Sequence, residues 1–150
     1  MNLQDVQAQI DTCVNCIELG GPTPDGYAYI KALGLYLPNY IVITNITNPV
    51  ILDPPGDNPQ TYSVDEVVDV TNLQYAPGSI DMFLASSFPH NLRQTLINNT
   101  ISALRPGGLL VLENILADDD IYAGQRGLIP LLDSEAITEH YSQIYQYQKA

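Results

Sequence analysis

The stretch CIELGGPTPDGY contains the first residues whose types and spacing suggest binding chemistry. An apolar run reaches Glu18 and continues, one residue later, into Gly20 and Gly21, as happens where a strand enters a turn that cradles a nucleotide. Glycine has no Cβ atom, so the backbone can approach a ligand closely there. Pro22 and Pro24 occupy positions where further glycines are expected, and proline has no N–H to offer. The stretch therefore predicts either a ligand-binding turn or a tight strand-to-helix turn that holds no ligand.

The charge balance of the chain excludes several classes of partner. The 150 residues include 5 Lys and Arg against 17 Asp and Glu, which gives a formal net charge of −12. Nucleic-acid binding depends on neutralising phosphates with basic side chains, so this balance argues against DNA or RNA, and equally against an anionic membrane surface. The length fits about one domain, which we assign to residues 1–150. The polar N-terminus lacks the basic segment of a signal peptide, and no window of 18 residues is apolar throughout, so we expect a soluble cytoplasmic protein.

Two groups of residues raise the question of a metal ion. Cys13 and Cys16 form a C-x-x-C pair, but a structural zinc site needs four ligands and no second Cys or His pair is present. We therefore expect two structural thiols in or beside a strand. The run Asp118–Asp120 offers carboxylate oxygens that suit a divalent cation, although such a run is more often a solvated loop. No metal is predicted.

Hydrophobic periodicity predicts alternating helices and strands along the chain. We expect helices over 3–12, 25–37 (with Asp25 as N-cap), 91–104 and 128–140, and strands over 14–19, 40–44, 66–70, 80–87, 109–116 and 141–148. Strands that alternate with helices indicate right-handed crossovers and a mainly parallel sheet, in which a ligand lies beyond the carboxyl ends of the strands. The last strand alternates in polarity and is predicted to be antiparallel and at an edge.

The segment 48–64 is too rich in proline for a full crossover helix, with four prolines in residues 48–63, and we expect only a turn near 49–52. A parallel sheet is normally covered on both faces, so something else should shield this side. Either the segment folds back with Val50, Ile51 and Leu52 inward, or a second copy of the chain docks there. We favour a homodimer, the commonest soluble assembly.

The stretch VVDVTNLQYAPGSIDMFLASSFPHNL, residues 67–92, followed by ALRPGGLLVLENIL, resembles the class I S-adenosylmethionine-dependent methyltransferases. The resemblance runs from an acidic third strand through a G-S-I-D start of the fourth strand to the L-R-P-G-G turn before the fifth. It implies an α/β, Rossmann-like methyltransferase fold: a mainly parallel central sheet with an antiparallel C-terminal strand and a shortened second crossover. It also implies S-adenosylmethionine as cofactor and a small-molecule substrate.

The resemblance implies a set of cofactor contacts. Glu18 would accept from the ammonium group, Asn45 lies where an acid usually binds the ribose hydroxyls, and Asp69 would accept from the adenine amino group. Leu73 would complete an apolar slot for the ring. No catalytic residue is assigned; His90 is the candidate general base, the other interpretation being a polar loop residue. The full set of cofactor-binding residues is Glu18, Gly20, Gly21, Asn45, Ile46, Asp69, Val70, Ala85 and Ser86.

Departures from the family pattern leave two functions open. Prolines replace the later glycines of the first turn, and the neutral Asn45 replaces an anion, which weakens a charge-assisted hydrogen bond. One function is methyl transfer from S-adenosylmethionine to an unknown small-molecule acceptor. The other is a degenerate, non-catalytic member of the family that acts as a ligand-binding or protein-interaction module.

Overall fold

The architecture is an α/β sandwich built on one large sheet. The structure is a computed structural model that describes residues 1–23, 26–52, 60–86, 88–133 and 142–148. The strands are β1 (Cys16–Leu19), β2 (Val42–Asn45), β3 (Val50–Leu52), β4 (Gln60–Tyr62), β5 (Glu66–Val67), β6 (Ile80–Ala85), β7 (Leu104–Glu113), β8 (Leu128–Pro130) and β9 (Ser142–Tyr147). The helices are α1 (Leu3–Asp11), α2 (Ala28–Ala32), α3 (His90–Ala103) and α4 (Ala117–Gln125), with a 3₁₀ turn at Val70–Asn72.

The sheet has seven strands in the order β5-β2-β1-β6-β7-β9-β8. Strands β5, β2, β1, β6 and β7 pair in parallel, whereas β9 pairs antiparallel with both β7 and β8. The predicted fold class is therefore confirmed: a mainly parallel, Rossmann-like sheet with an antiparallel C-terminal strand. The predicted central position of the first strand is confirmed as well.

Helices cover both faces of the sheet because side chains alternate along its buried strands. In β6, Phe83 and Ala85 join the cluster that contains Leu96 of α3. Met82 and Leu84, which alternate with them, join the cluster that contains Ile10 of α1. Helices α3 and α4 thus lie on one face, and α1 and α2 on the other.

The second helix is shorter than predicted, and its predicted cap, Asp25, lies outside the described residues. The helix spans only Ala28–Ala32; Tyr27 before it has φ 63°, and Gly34 after it has φ 88°. These left-handed positions interrupt the helix at both ends, although the apolar spacing continues beyond them. The third parallel strand is also short, because a 3₁₀ turn follows where the strand was expected to continue.

The C-terminal third differs most from the prediction. The helix expected over 128–140 is wrong at its start, because Leu128–Pro130 forms β8; residues 134–140 lie outside the described residues. A helix that was not predicted, α4, occupies Ala117–Gln125. Strand β9 lies between β7 and β8, so its predicted position at the sheet edge is wrong.

The proline-rich segment forms an antiparallel hairpin of β3 and β4 rather than a turn near 49–52. Ile51 is 67% exposed, so the expectation that it packs inward is wrong. Val67 on the edge strand β5 is also exposed. These are side chains that a second copy would cover, and the homodimer stays a prediction. No helix in the described ranges is long and apolar enough to cross a membrane.

Candidate functional site

A cleft of about 630 Å³ lies at the carboxyl ends of the strands β1, β2, β5 and β6. This is the edge at which open parallel sheets bind ligands, and the volume is in the range of small-molecule sites. Its walls are mainly apolar. The lining residues are Leu19, Gly20, Pro22, Thr23, Asn45, Ile46, Val68, Asp69, Val70, Thr71, Ser86, Phe88, Pro89 and Leu92.

The structure brings six of the nine predicted cofactor-binding residues into this lining, namely Gly20, Asn45, Ile46, Asp69, Val70 and Ser86. Glu18, Gly21 and Ala85 are buried outside it. Leu73, the other wall of the predicted adenine slot, is half-buried and packs against the core cluster under α3. Phe88, Pro89 and Leu92 were not predicted and form part of the wall.

The turn after β1 requires glycine at its first position. Gly20 has φ 71°, and a Cβ atom there would lie 2.5 Å from Cε2 of Phe88. The aromatic ring therefore packs directly on the Gly20 backbone. The close approach that the sequence suggested for a ligand is made, at this residue, by a side chain of the protein itself.

The Glu18 carboxylate lies behind the turn rather than in the cleft. A Cβ atom at Gly21 would lie 2.1 Å from Oε1 of Glu18, so the missing side chain at Gly21 makes room for this carboxylate. The neighbouring group is the buried Tyr27 hydroxyl. Burial raises the pKa of Glu18, while interactions with Tyr27 and the Thr23 backbone oppose that rise. Burial and the Glu18 carboxylate also raise the pKa of Tyr27.

Asn45 fastens the same turn to the end of β2. Its amide Nδ2 donates to the Gly21 carbonyl at 2.7 Å, and its Oδ1 accepts from the Ile46 N–H at 2.7 Å. The Gly21 N–H in turn donates to the Thr44 carbonyl at 2.9 Å. An ionised acid at position 45 has no N–H and could not donate to the Gly21 carbonyl. The neutral Asn45 therefore has a structural role, because its amide makes a hydrogen bond to the Gly21 carbonyl that a carboxylate could not make.

Asp69 is an exposed carboxylate on the cleft wall. Its Oδ1 accepts from the Thr71 N–H at 2.9 Å and from the Thr71 hydroxyl at 2.7 Å, so it caps the 3₁₀ turn. These two hydrogen bonds hold the pKa of Asp69 below its usual range. The group is therefore ionised at neutral pH and keeps Oδ2 for a ligand.

A polar chain that sequence reasoning missed runs behind Ser86. The Ser86 hydroxyl donates to Oε1 of Glu113 at 2.5 Å, and the backbone N–H of Tyr27 donates to Oε2 of the same carboxylate. Glu113 is the last residue of β7. The acidic residue at the end of an apolar strand was the feature of the sequence that could have marked it as part of the site. The contact between Tyr27 and Glu113 could not be predicted, because the two residues are separated by 86 positions in the sequence.

His90 directly follows the lining residue Pro89 and lies beside a buried ion pair. It is the first residue of α3, its side chain is 56% exposed, and its Nδ1 lies 3.8 Å from Oδ2 of Asp119. Asp119 is fully buried and bonds to Arg93 at 3.2 Å. Arg93 also donates to the carbonyls of Phe88, at 2.7 Å, and Asn114. In the described part of the chain, no group of three or more His, Cys, Asp or Glu could hold a metal ion.

Comparisons with known proteins show the fold. No protein-family model matches the chain. Over 74 residues, 47% of the chain, it is 35% identical to highly reducing polyketide synthase 2 of Gibberella zeae, and the match covers 3% of that synthase. Its structure is similar to N-methyltransferase NodS of Bradyrhizobium japonicum WM9, with a TM-score of 0.55 and 11% identity over 97% of this chain and 96% of that one.

Two further solved structures complete the comparison. CurJ carbon methyltransferase gives a TM-score of 0.56 and 12% identity over 91% of this chain and 49% of that one. The [4+2]-cyclase SpnF gives 0.53 and 13% identity over 99% of this chain and 80% of that one. With the sheet order above, these likenesses define a protein with the class I methyltransferase fold. One of the similar proteins is a cyclase, so the fold does not fix the reaction.

Proposed function

We propose that the chain binds S-adenosylmethionine in the cleft and transfers its methyl group to a small-molecule acceptor in the cytoplasm. The observation that carries the proposal is the position of the cleft: it crosses the carboxyl ends of β1, β2 and β5, with apolar walls and the free Oδ2 of Asp69. Apolar walls suit the faces of an adenine ring, and a carboxylate oxygen suits its amino group. The residues present therefore fit the adenosine part of the cofactor.

The chemistry requires positioning more than acid–base groups. When bound, the cofactor would supply an electrophilic methyl group on a sulfonium ion. An acceptor bound beside it would take this methyl group, and the electron pair of the carbon–sulfur bond would remain on sulfur. Holding the two reactants in line supplies most of the rate, and the cleft walls would do this.

We propose His90 as the group that takes the proton of the acceptor. Its Nδ1 lies 3.8 Å from Oδ2 of Asp119 and its side chain is 56% exposed, so an acceptor could reach the ring. The likeness to a carbon methyltransferase supports a carbon acceptor, which needs such a base, and the likeness to an N-methyltransferase supports a nitrogen acceptor equally.

Specific observations favour the second function, a non-catalytic ligand-binding or protein-interaction module. The Asn45 amide already bonds to backbone groups on both sides, and Phe88 packs on Gly20 where a ligand would lie. A chain of this kind would bind an adenosine-like ligand without transferring a group.

Calorimetric titration with S-adenosylmethionine tests the proposal, with Asp69→Asn as the variant. Asparagine keeps an oxygen for the Thr71 cap but turns an amide donor toward the ligand, so affinity should fall about tenfold. Asp5→Asn, an exposed acid on α1, is the matched control and should bind like the unaltered chain. The absence of heat at millimolar cofactor would overturn binding. Unchanged affinity in Asp69→Asn would remove this residue from the site.

A further inference from the structure

The two halves of S-adenosylmethionine make different demands on a binding site. The nucleoside half presents an adenine ring, ribose hydroxyls and a thioether or sulfonium, whereas the amino-acid half presents a carboxylate and an ammonium group. Burying either of these charges costs free energy unless the protein supplies a partner. The charges around the cleft therefore indicate which half of the ligand is recognised.

The described residues offer no cationic side chain in the cleft to bind the ligand carboxylate. The cleft-lining residues given above include no Lys, Arg or His. Arg93 is engaged with Asp119 and two backbone carbonyls, and Lys31 lies on α2.

Three backbone donors of the turn are also engaged. The Gly21 N–H donates to Thr44, the Gly26 N–H to Thr23, and the Tyr27 N–H to Glu113. Pro22 has no N–H. These groups would form the anion-binding part of a glycine-rich turn, and among the described residues each is used within the protein.

The ligand ammonium would need an acidic side chain as its partner. Among the residues that the structure describes, no acidic side chain lines this end of the cleft. The Glu18 carboxylate is buried behind Gly21, on the side of Tyr27. The Phe88 ring covers Gly20 and presents an apolar surface instead. Asp69, the one ionisable side chain among the described lining residues, lies in the segment after β5, on the far side of the cleft from the turn.

The other end of the cleft suits a nucleoside. Ile46, Val68, Val70 and Leu92 provide apolar walls, and Asp69 provides an ionised acceptor. We infer that the cleft recognises its ligand through the nucleoside half alone and leaves the amino-acid half to solvent. The preferred ligand class is thus an adenosine with a 5′-thioether or 5′-sulfonium group, whether or not it carries an amino-acid chain. This inference rests on the proposed function, because it concerns the same site.

A ligand series tests it on the unaltered chain. Calorimetry at neutral pH compares S-adenosylhomocysteine with 5′-deoxy-5′-methylthioadenosine, which lacks the amino-acid half. We expect dissociation constants within about threefold of each other, less than the effect of one hydrogen bond. A site that bound the amino-acid half would favour S-adenosylhomocysteine by about thirtyfold or more, as expected for charge-assisted hydrogen bonds.

The outcomes separate the inference from the proposed function. If S-adenosylhomocysteine binds about thirtyfold more tightly, the inference is wrong and cofactor binding stands. If neither compound binds at millimolar concentration, both are wrong. Asp69→Asn provides a second readout: it should weaken the two ligands by the same factor, and a loss for only one of them would contradict recognition through the shared nucleoside.

Discussion

At the scale of single residues, Asp81 holds the amino ends of three strands together. Its Oδ2 accepts from the backbone N–H groups of Val14 and Asn15, at 2.8 and 2.9 Å, just before β1. Its Oδ1 accepts from Arg105 at 2.8 Å, at the start of β7. Burial opposes ionisation of Asp81, but these hydrogen bonds outweigh it and hold its pKa below the ordinary 3.8.

This lowered pKa predicts a pH-dependent effect of Asp81→Asn. A carboxyl group whose pKa is lower in the folded state stabilises the fold above its ordinary pKa, and the contribution is lost as the pH falls through the folded-state pKa. We expect the variant to lower the free energy of unfolding by about 1–2 kcal/mol at pH 7, allowing for partial exposure. The difference should shrink below pH 3.8.

Urea denaturation at pH 7 and near pH 3 measures this difference. The exposed Asp133→Asn is the control and should change stability little at either pH. An equal loss for Asp81→Asn at both pH values would mean that the charge of Asp81 does not matter.

Residues in the turn after β1 show where sequence reasoning succeeds. The glycine pair predicted either a turn that a ligand approaches closely or a tight turn that holds no ligand, and the approaches present in the structure come from side chains of the protein. What approaches Gly20 is Phe88, from a different part of the chain, and what approaches Gly21 is Glu18. A local pattern gives the conformational freedom of a residue but not the identity of its distant neighbour.

At the scale of elements, the connection between α3, β7 and α4 depends on Arg93. This buried side chain on α3 bonds to Asp119 in the first turn of α4 and to the Asn114 carbonyl just after β7. Asp119 also accepts from the Leu116 N–H at 2.9 Å and so closes the start of α4. Acidic residues favour a helix N-terminus, which explains why the run Asp118–Asp120 begins a helix rather than a loop.

Breaking this ion pair should be costly. Arg93→Met leaves the buried Asp119 charge without its partner, and we expect a loss of about 3–5 kcal/mol in the free energy of unfolding. Adding Asp119→Asn to that variant should recover part of the loss. Arg126→Met is the matched control, since Arg126 lies over the Tyr122 ring on the surface. Chemical denaturation measures all of these variants, and an effect of Arg93→Met no larger than the control would contradict the role.

The elements that sequence predicted well are those with long apolar patterns. The spans of α1, α3 and β6 follow from periodicity, as does the second half of β7, which begins at Leu104 rather than at the predicted residue 109. Helix α2 and strand β5 are shorter than predicted because left-handed residues end the helix and a 3₁₀ turn follows the strand. Helix α4 was missed because its apolar positions are few and Ile121 is exposed.

At the scale of the whole molecule, alternating strands and helices were sufficient to predict the parallel sheet and its central strand. They could not place β9 inside the sheet, because that position depends on its pairing with the three-residue strand β8. The cleft was predictable as the carboxyl edge of the sheet, and six of the nine predicted residues line it. Its charge pattern was not, because hydrogen bonds across the fold decide which donors are free.

Mapping a bound ligand by amide chemical shifts tests the central claim most directly. In a ¹⁵N-labelled chain titrated with S-adenosylhomocysteine, we expect shifts at Gly20, Asn45 and Val70, which line the cleft. Val14 and Tyr40, beside the opposite ends of the strands, should not move. Shifts confined to that opposite end, or no shifts at millimolar ligand, would contradict an adenosine-binding cleft at the carboxyl edge of the sheet.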